Sequence, residues 1–428
     1  MTKQRNSFSK CMFLTVALTF SLVFGQAQQN EHYNVAIFLY PHVELLDFAG
    51  PGEVFASTPG FTVYTVSADG KELQSQGFVT VKPQYSLDDV PVPDIIVLPG
   101  GNTAETMKNP KVIEWINRRF ATGSMVMSVC SGAGILAKAG LLTGLNVTTF
   151  HSYIPGLQAM LPHSKVLPNT RYVDNGMIIT TAGVSAGIDG ALHVVSRIKG
   201  MEVAKATAFY MEYDKWKPEE GRLDYQNEYL EKLKTKPGPL EKEKIKAVAI
   251  TKEQIPFEGE LKNLGLELLE AGSYREAATV LEETIRWYPN SASAYSQLAR
   301  AYAKLGKPAP IDEKELLKII DAGKVEEAWA VYEKTQKTYP GWKLFDENAL
   351  NSAGYEFMRI EDYDHAIKVF QLNAKAYPNS FNVFDSLGEG LMKAGNKNEA
   401  IANYKKSLEL NPENSNAKQM LAQLEGRM

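Results

Sequence analysis

The sequence predicts two folds in one chain: an α/β unit with a mostly parallel sheet over residues 33–215, and an all-α repeat array over residues 258–428. Two observations predict them. In the first stretch, short apolar runs of strand length alternate with helix-like segments, the pattern of βαβ units. In the second, Ala277, Ala328, Ala366 and Ala400 each stand twelve residues before a proline: Pro289, Pro340, Pro378 and Pro412. The last two prolines are 34 residues apart, a period that belongs to paired-helix repeats.

The chain opens with Lys3, Arg5 and Lys10 and an apolar run, Cys11–Phe24, closed by Gly25-Gln26-Ala27. This reads as a signal peptide over residues 1–27. The run falls short of the ~20 apolar residues that span a bilayer, which disfavours an uncleaved anchor. Cleavage would lower the formal charge from −4 to −7, because the segment carries three positive charges and no negative ones. No polybasic footprint remains, so nucleic acid is not an expected partner. It would also leave Cys130 as the only cysteine, without a disulfide partner in an oxidising compartment. Such a thiol is either buried and inert or chemically used.

Asn34–Tyr40 reads as the first strand, with VELLDFAGPGEVF (43–55) as the loop and helix after it. Phe61–Ala68 alternates as a strand and Phe78–Val81 gives a shorter one. Asp94–Leu98 is a central strand, followed by a helix over Pro110–Ala121. Met125–Val129 is short, apolar and unbroken, which suits a parallel strand buried on both faces. A helix over Gly132–Ala139, a strand over Asn146–Phe150 and a helix over Tyr153–Met160 follow. RYVDNGMIITTAG (171–183) reads as a hairpin around Asp174-Asn175-Gly176, and helices over Ala186–Ile198 and Val203–Tyr213 close the unit. Residues 216–257 are rich in Lys and Glu and read as a charged linker with one helix, Tyr225–Thr235.

The chemistry concentrates in two pieces, DIIVLPGG (94–101) and SMVMSVCSGAGILA (124–137). Ser128-x-Cys130-x-Gly132 has the form of a nucleophile elbow with cysteine as nucleophile. The helix start at Ser131–Gly134 favours a thiolate, and a carboxyl group close by would share a proton with it. The expectation is a reactive thiolate at neutral pH beside a protonated acid. Asp47 lies one loop beyond the first strand, at the sheet edge where α/β proteins bind ligands; otherwise it caps the helix starting near Pro51. His32, His42, His163, His193 and His365 show no ligand spacing, so no metal is expected, and no cofactor site is read. Glu53 reads as a solvent-facing helix residue.

The motifs LLDFAGPGEVF, IIVLPGG, VCSGAGILAKAGLL, VTTFHSY and TTAGVSAGIDGALHVVSRIKG together resemble the ThiJ/PfpI (DJ-1) superfamily of the class I glutamine-amidotransferase-like fold. Within it they are most similar to isonitrile-hydratase-like proteins and to the sensor domains of GlxA-type regulators. The resemblance implies a flavodoxin-like sandwich, Cys130 at the elbow, Asp47 as its acidic partner, and an oxyanion site from Gly100, Gly101 and the Ser131 N–H. The superfamily's histidine falls at Phe150 or at His151. Protease-like members carry His directly after the cysteine; here that place is Ser131, so peptidase activity is not expected. Regulators of the GlxA type continue into a helix-turn-helix domain, whereas residues 258–428 resemble tetratricopeptide repeats. In these each alanine lets paired helices approach and each proline ends the second helix, with a capping helix over Lys418–Glu425.

Two functions follow from this reading. One is an exported, periplasmic or secreted cysteine enzyme acting on a small electrophile by hydration, hydrolysis or glyoxalase-type chemistry. The other is a non-catalytic ligand or redox sensor whose repeats engage a partner. Partners implied are a small-molecule substrate, a protein or peptide at the repeats, or a second copy of the chain if the array is a dimerisation arm.

Overall fold

A computed structural model describes residues 32–224 and 256–426. The expected signal peptide, Cys11 and the helix expected over Tyr225–Thr235 lie outside the described residues. The chain forms two compact units, divided between Asn263 and Leu264.

The first unit follows the expected alternation. In chain order it contains β1 (Tyr33–Leu39), α1 (Leu45–Ala56), β2 (Phe61–Ser67), β3 (Leu73–Ser75), β4 (Val79–Val81), β5 (Tyr85–Ser86) and β6 (Ile95–Leu98). Then come α2 (Ala104–Lys108), α3 (Pro110–Ala121), β7 (Met125–Val129), α4 (Ala133–Lys138), β8 (Asn146–Val147), α5 (Ile154–Met160) and β9 (Lys165–Val166). The unit closes with β10 (Tyr172–Asp174), β11 (Ile178–Thr181), α6 (Ala186–Lys199), α7 (Met201–Tyr210) and β12 (Arg222–Leu223). Eight strands make one sheet in the order β12-β10-β11-β7-β6-β1-β2-β5. Every neighbouring pair runs parallel except the β10–β11 hairpin. All residues of β6, β7 and β11 are buried, so side chains of both parities are covered and helices must close both faces. Helix α6 is buried from Ala186 to Ile198, which places it inside the unit rather than on its surface.

The hairpin forms where the Asp-Asn-Gly turn predicted it: Gly176 has φ +89° and its N–H donates to Asp174 Oδ1 at 2.7 Å. The strand expected over Asn146–Phe150 stops at Val147 and pairs with β9 in a separate ribbon. From Thr148 onward side chains take the backbone's partners. The Thr148 N–H donates to Thr180 Oγ1, and Thr149 Oγ1 donates to the Cys130 carbonyl at 2.6 Å. Local threonine hydroxyls compete with a strand ladder in this way.

The second unit is all helical. The helices are α8 (Glu258–Glu270), α9 (Tyr274–Trp287), α10 (Ala292–Lys304), α11 (Glu313–Asp321), α12 (Val325–Thr338) and α13 (Glu347–Arg359). They continue with α14 (Tyr363–Ala376), α15 (Phe381–Lys393), α16 (Lys397–Leu410) and α17 (Ser415–Leu424). Helix α8 begins in the first unit and continues into this one. The four period-setting alanines lie on α9, α12, α14 and α16 and are fully buried. The four prolines follow just beyond the ends of those helices, where they cannot interrupt a hydrogen-bond ladder. Gly354 shows why the first helix of a repeat needs a small residue. A Cβ there would stand 2.3 Å from Phe370 Cε1, the large residue four places after Ala366. In the degenerate repeat the corresponding place is Leu316, and its helix α11 is 9 residues long against 13 for α13 and α15.

Candidate active site

Strands β11, β7, β6 and β1 are adjacent, and the carboxyl ends of all four contribute to one site. Between β1 and β6 the chain reverses its direction of travel across the sheet, the switch point where open α/β sheets bind ligands. Asp47 enters from α1 after β1, Gly100 and Gly101 follow β6, Cys130 follows β7, and Gly183-Val184 follow β11.

Cys130 has φ +59°, a left-handed conformation unusual for a residue with a side chain. It is held there from both sides: its N–H donates to the Ala182 carbonyl at 3.1 Å, and its own carbonyl accepts from Thr149. The turn is sharp enough that a Cβ at Gly132 would lie 2.0 Å from the Leu98 carbonyl oxygen. This is the strand-turn-helix elbow that the spacing around Cys130 predicts. The thiol is 7% exposed.

Asp47 is fully buried and faces it. Its Oδ2 accepts from the Gly100 N–H and its Oδ1 from the Val184 N–H, both at 2.9 Å. Its side chain is also hydrogen-bonded to the thiol. Gly100 makes this possible, because a Cβ there would stand 2.7 Å from Cys130 Cβ and 2.8 Å from Asp47 Oδ2. The sequence reading missed Val184, whose φ of +54° is rare for a β-branched residue. The run of small residues before α6 was its only signal.

The protonation state differs from the expected one. Burial pushes the Cys130 thiol up to about 12, and the charge of Asp47 adds to that, while the Ser131 N–H pulls the other way. Burial raises Asp47 to about 6 against the opposing Gly100 and Val184 donors. The helix start is therefore outweighed by desolvation and by a like-charge neighbour. At neutral pH the proton sits on sulfur and Asp47 is a carboxylate, the reverse of a thiolate beside a protonated acid.

The expected oxyanion donors are largely committed. The Gly100 N–H serves Asp47, and the Gly101 N–H donates to Ser131 Oγ at 3.0 Å while that hydroxyl donates to the Gly101 carbonyl at 3.1 Å. The Ser131 N–H is directed at the sulfur. His151 is exposed on a short 3-10 turn, with its ring 4.2 Å from that of Phe150. Phe150 reaches the thiol side: a Cβ at Gly183 would meet Phe150 Cδ2 at 2.4 Å and Cys130 Sγ at 3.3 Å. Tyr40, a further residue the sequence reading missed, donates to the Pro99 carbonyl at 2.8 Å within the field of Asp47 and Cys130. Glu53 is exposed and accepts from Ser57 Oγ. Among the described residues no group of three or more His, Cys, Asp or Glu side chains is placed to hold a metal ion.

Fold and site together define an α/β protein with a buried cysteine–aspartate pair at the carboxyl edge of its sheet. The profile of the DJ-1/PfpI family matches residues 33–197. Isonitrile hydratase from Pseudomonas putida is 33% identical over 181 residues, which cover 42% of this chain and 78% of that protein. The chain belongs to the DJ-1/PfpI family. The HTH-type transcriptional regulator GbdR of Pseudomonas aeruginosa is 23% identical over 157 residues, covering 37% of this chain and 42% of the regulator. A crystal structure of a ThiJ/PfpI family protein from Pseudomonas syringae aligns with a TM-score of 0.41 at 27% identity, covering 44% of this chain and 77% of that one. Tetratricopeptide repeat profiles match residues 262–309 and 382–414, so the C-terminal region carries these repeats.

Proposed function

We propose that the first unit is a cysteine-dependent hydratase for a small uncharged electrophile of the isonitrile type, and that the repeats tether it to a protein partner. The observation that carries this reading is the buried pair itself: a neutral thiol hydrogen-bonded to a carboxylate whose pKa of about 6 suits a general base. Asp47 takes the thiol proton as sulfur attacks the terminal isonitrile carbon. The new C–S bond places charge on that carbon, and Asp47 returns the proton there to give a thioimidate. Water then adds to the same carbon, with Asp47 again accepting a proton and nitrogen receiving one. Collapse breaks the C–S bond, releases an N-substituted formamide and restores the thiol. The Ser131 N–H steadies the sulfur anion in both directions. Asp47 is the charged residue that acts on the thiol, and the Phe150 ring lies at its side, which favours an uncharged substrate.

The test is conversion of an alkyl isonitrile to its formamide by the full protein. Cys130→Ala should abolish turnover, and Asp47→Asn should lower kcat by about 10²–10⁴-fold. Wild-type kcat/KM should rise with pH through about 6 as Asp47 becomes able to accept the proton. Turnover that survives Cys130→Ala would overturn the assignment. The similarity of the same unit to part of a transcriptional regulator supports a second reading, a ligand sensor. That reading gains if a formamide or isonitrile binds without turnover. Export is proposed on the charged, apolar and small-residue order of residues 1–27. N-terminal sequencing of the native protein should then begin near Gln28, and a start at Met1 or Thr2 would refute it.

A further inference from the structure

Helices α13 and α15 are the first helices of consecutive repeats, so residues 34 apart occupy equivalent places: Asn351 with Asp385, and Tyr355 with Glu389. The structure joins these places into one face. The Tyr355 hydroxyl donates to Glu389 Oε2 at 3.0 Å and to Ser386 Oγ at 3.3 Å. Asp385 accepts from Asn414 Nδ2 at 2.9 Å and, from α17, Asn416 Nδ2 at 2.7 Å. Both carboxylates are thus tied to neutral donors, and among the described residues no ion pair joins either of them to a Lys, Arg or His. One polar atom beside them is orphaned: the hydroxyl of Tyr404, a residue 0% exposed that lies in the field of Asp385, Glu389 and Tyr355, is buried without a partner. Buried polar groups in native proteins nearly always have partners, so an orphan at this place points to a missing one. Tyr355 adds a ring that is 37% exposed, a platform on which a cation can rest.

We propose that this face docks a lysine or arginine side chain of a partner polypeptide, its charge between Asp385 and Glu389 and its stem against the Tyr355 ring. The carboxylates and the exposed aromatic ring suit a cation, and the carboxylates repel an acidic segment. This inference does not depend on the thiol chemistry, and its test leaves Cys130 untouched.

The experiment is fluorescence polarisation with the full protein and a short labelled peptide of alternating alanine and lysine, against the same peptide with glutamate. The lysine peptide should bind and the glutamate peptide should not. Asp385→Asn combined with Glu389→Gln should weaken binding at least about tenfold. Glu326→Gln combined with Glu333→Gln removes the same charge from an exposed stretch of α12 and should leave binding unchanged. Tyr355→Ala, which keeps both carboxylates, should also weaken binding. Equal losses in both double variants would mean attraction to net charge alone and would overturn the proposal. So would a free polyamine that binds as tightly as the peptide, or unchanged affinity in Asp385→Asn with Glu389→Gln.

Discussion

The Asp47 carboxylate and the Cys130 thiol hold one proton between them, and burial decides where it rests. Taking both groups out of water favours their neutral forms, and only one can be neutralised by the proton they share. Sulfur keeps it, because its ordinary value is already the higher of the two and desolvation raises it further to about 12. Replacing Asp47 by Asn removes the repulsion that is the second cause of that rise. At a fixed pH near 9, Cys130 should therefore react faster with iodoacetamide in Asp47→Asn than in the wild type, read by mass of the Cys130 peptide. Slower labelling would mean that the carboxylate activates the resting thiol instead of opposing it. The sequence displayed both partners through motif order, yet not their protonation. The helix start is visible in Ser131–Gly134, whereas the 0% exposure of Asp47 exists only once four strand ends converge. The places of His151 and of the glycine donors are not legible for a related reason. Whether a side chain faces a thiol, or whether an N–H is already taken, depends on the register of loops far apart in the chain.

At the scale of elements, periodicity was legible wherever packing repeats. The alanine–proline spacing marked the second helix of each repeat, and the glycine twelve residues before each alanine marked a close approach in three of the four units. The short pieces β3, β5, β9, β12 and α2 escaped, being two to five residues long with no period to detect. The glycine sites carry a graded prediction. At Gly354 an added methyl would meet Phe370 at 2.3 Å, whereas at Gly388 the nearest atom, Tyr404 Cδ1, is 3.1 Å away. Gly354→Ala should cost about 1–3 kcal/mol through overpacking. Gly388→Ala should cost less, because a small ring shift relieves it and alanine gains helix propensity. Chemical denaturation of the full protein measures both; a larger loss at Gly388 would contradict the packing.

For the molecule as a whole, the question is where the first unit ends. The charged composition of residues 216–257 suggested a boundary before Glu258, and helix α8 does begin there. Yet its first turns belong to the α/β unit. Arg197, 6% exposed, binds Asp174 at 3.0 Å and Glu260 at 2.9 Å, and its guanidinium lies 5.4 Å from the centre of the Phe257 ring. Asn263 accepts from the Met201 N–H at 2.8 Å and donates to the Ser196 carbonyl at 3.1 Å. None of this is readable in sequence, since a helix period looks the same on either side of a domain boundary. A chain truncated after residue 255 should therefore melt below one truncated after residue 263. Loss of Glu260 removes one of the two carboxylates from a buried guanidinium, and loss of Phe257 and Asn263 uncovers the ends of α6 and α7. A combined cost of about 2–4 kcal/mol corresponds to a fall of roughly 4–16 °C for a unit of this size. Calorimetry of the two truncated chains makes the comparison, with Glu260→Gln in the longer one expected to fall in between. Equal melting temperatures would place the boundary before Glu258 and reduce these contacts to a surface association.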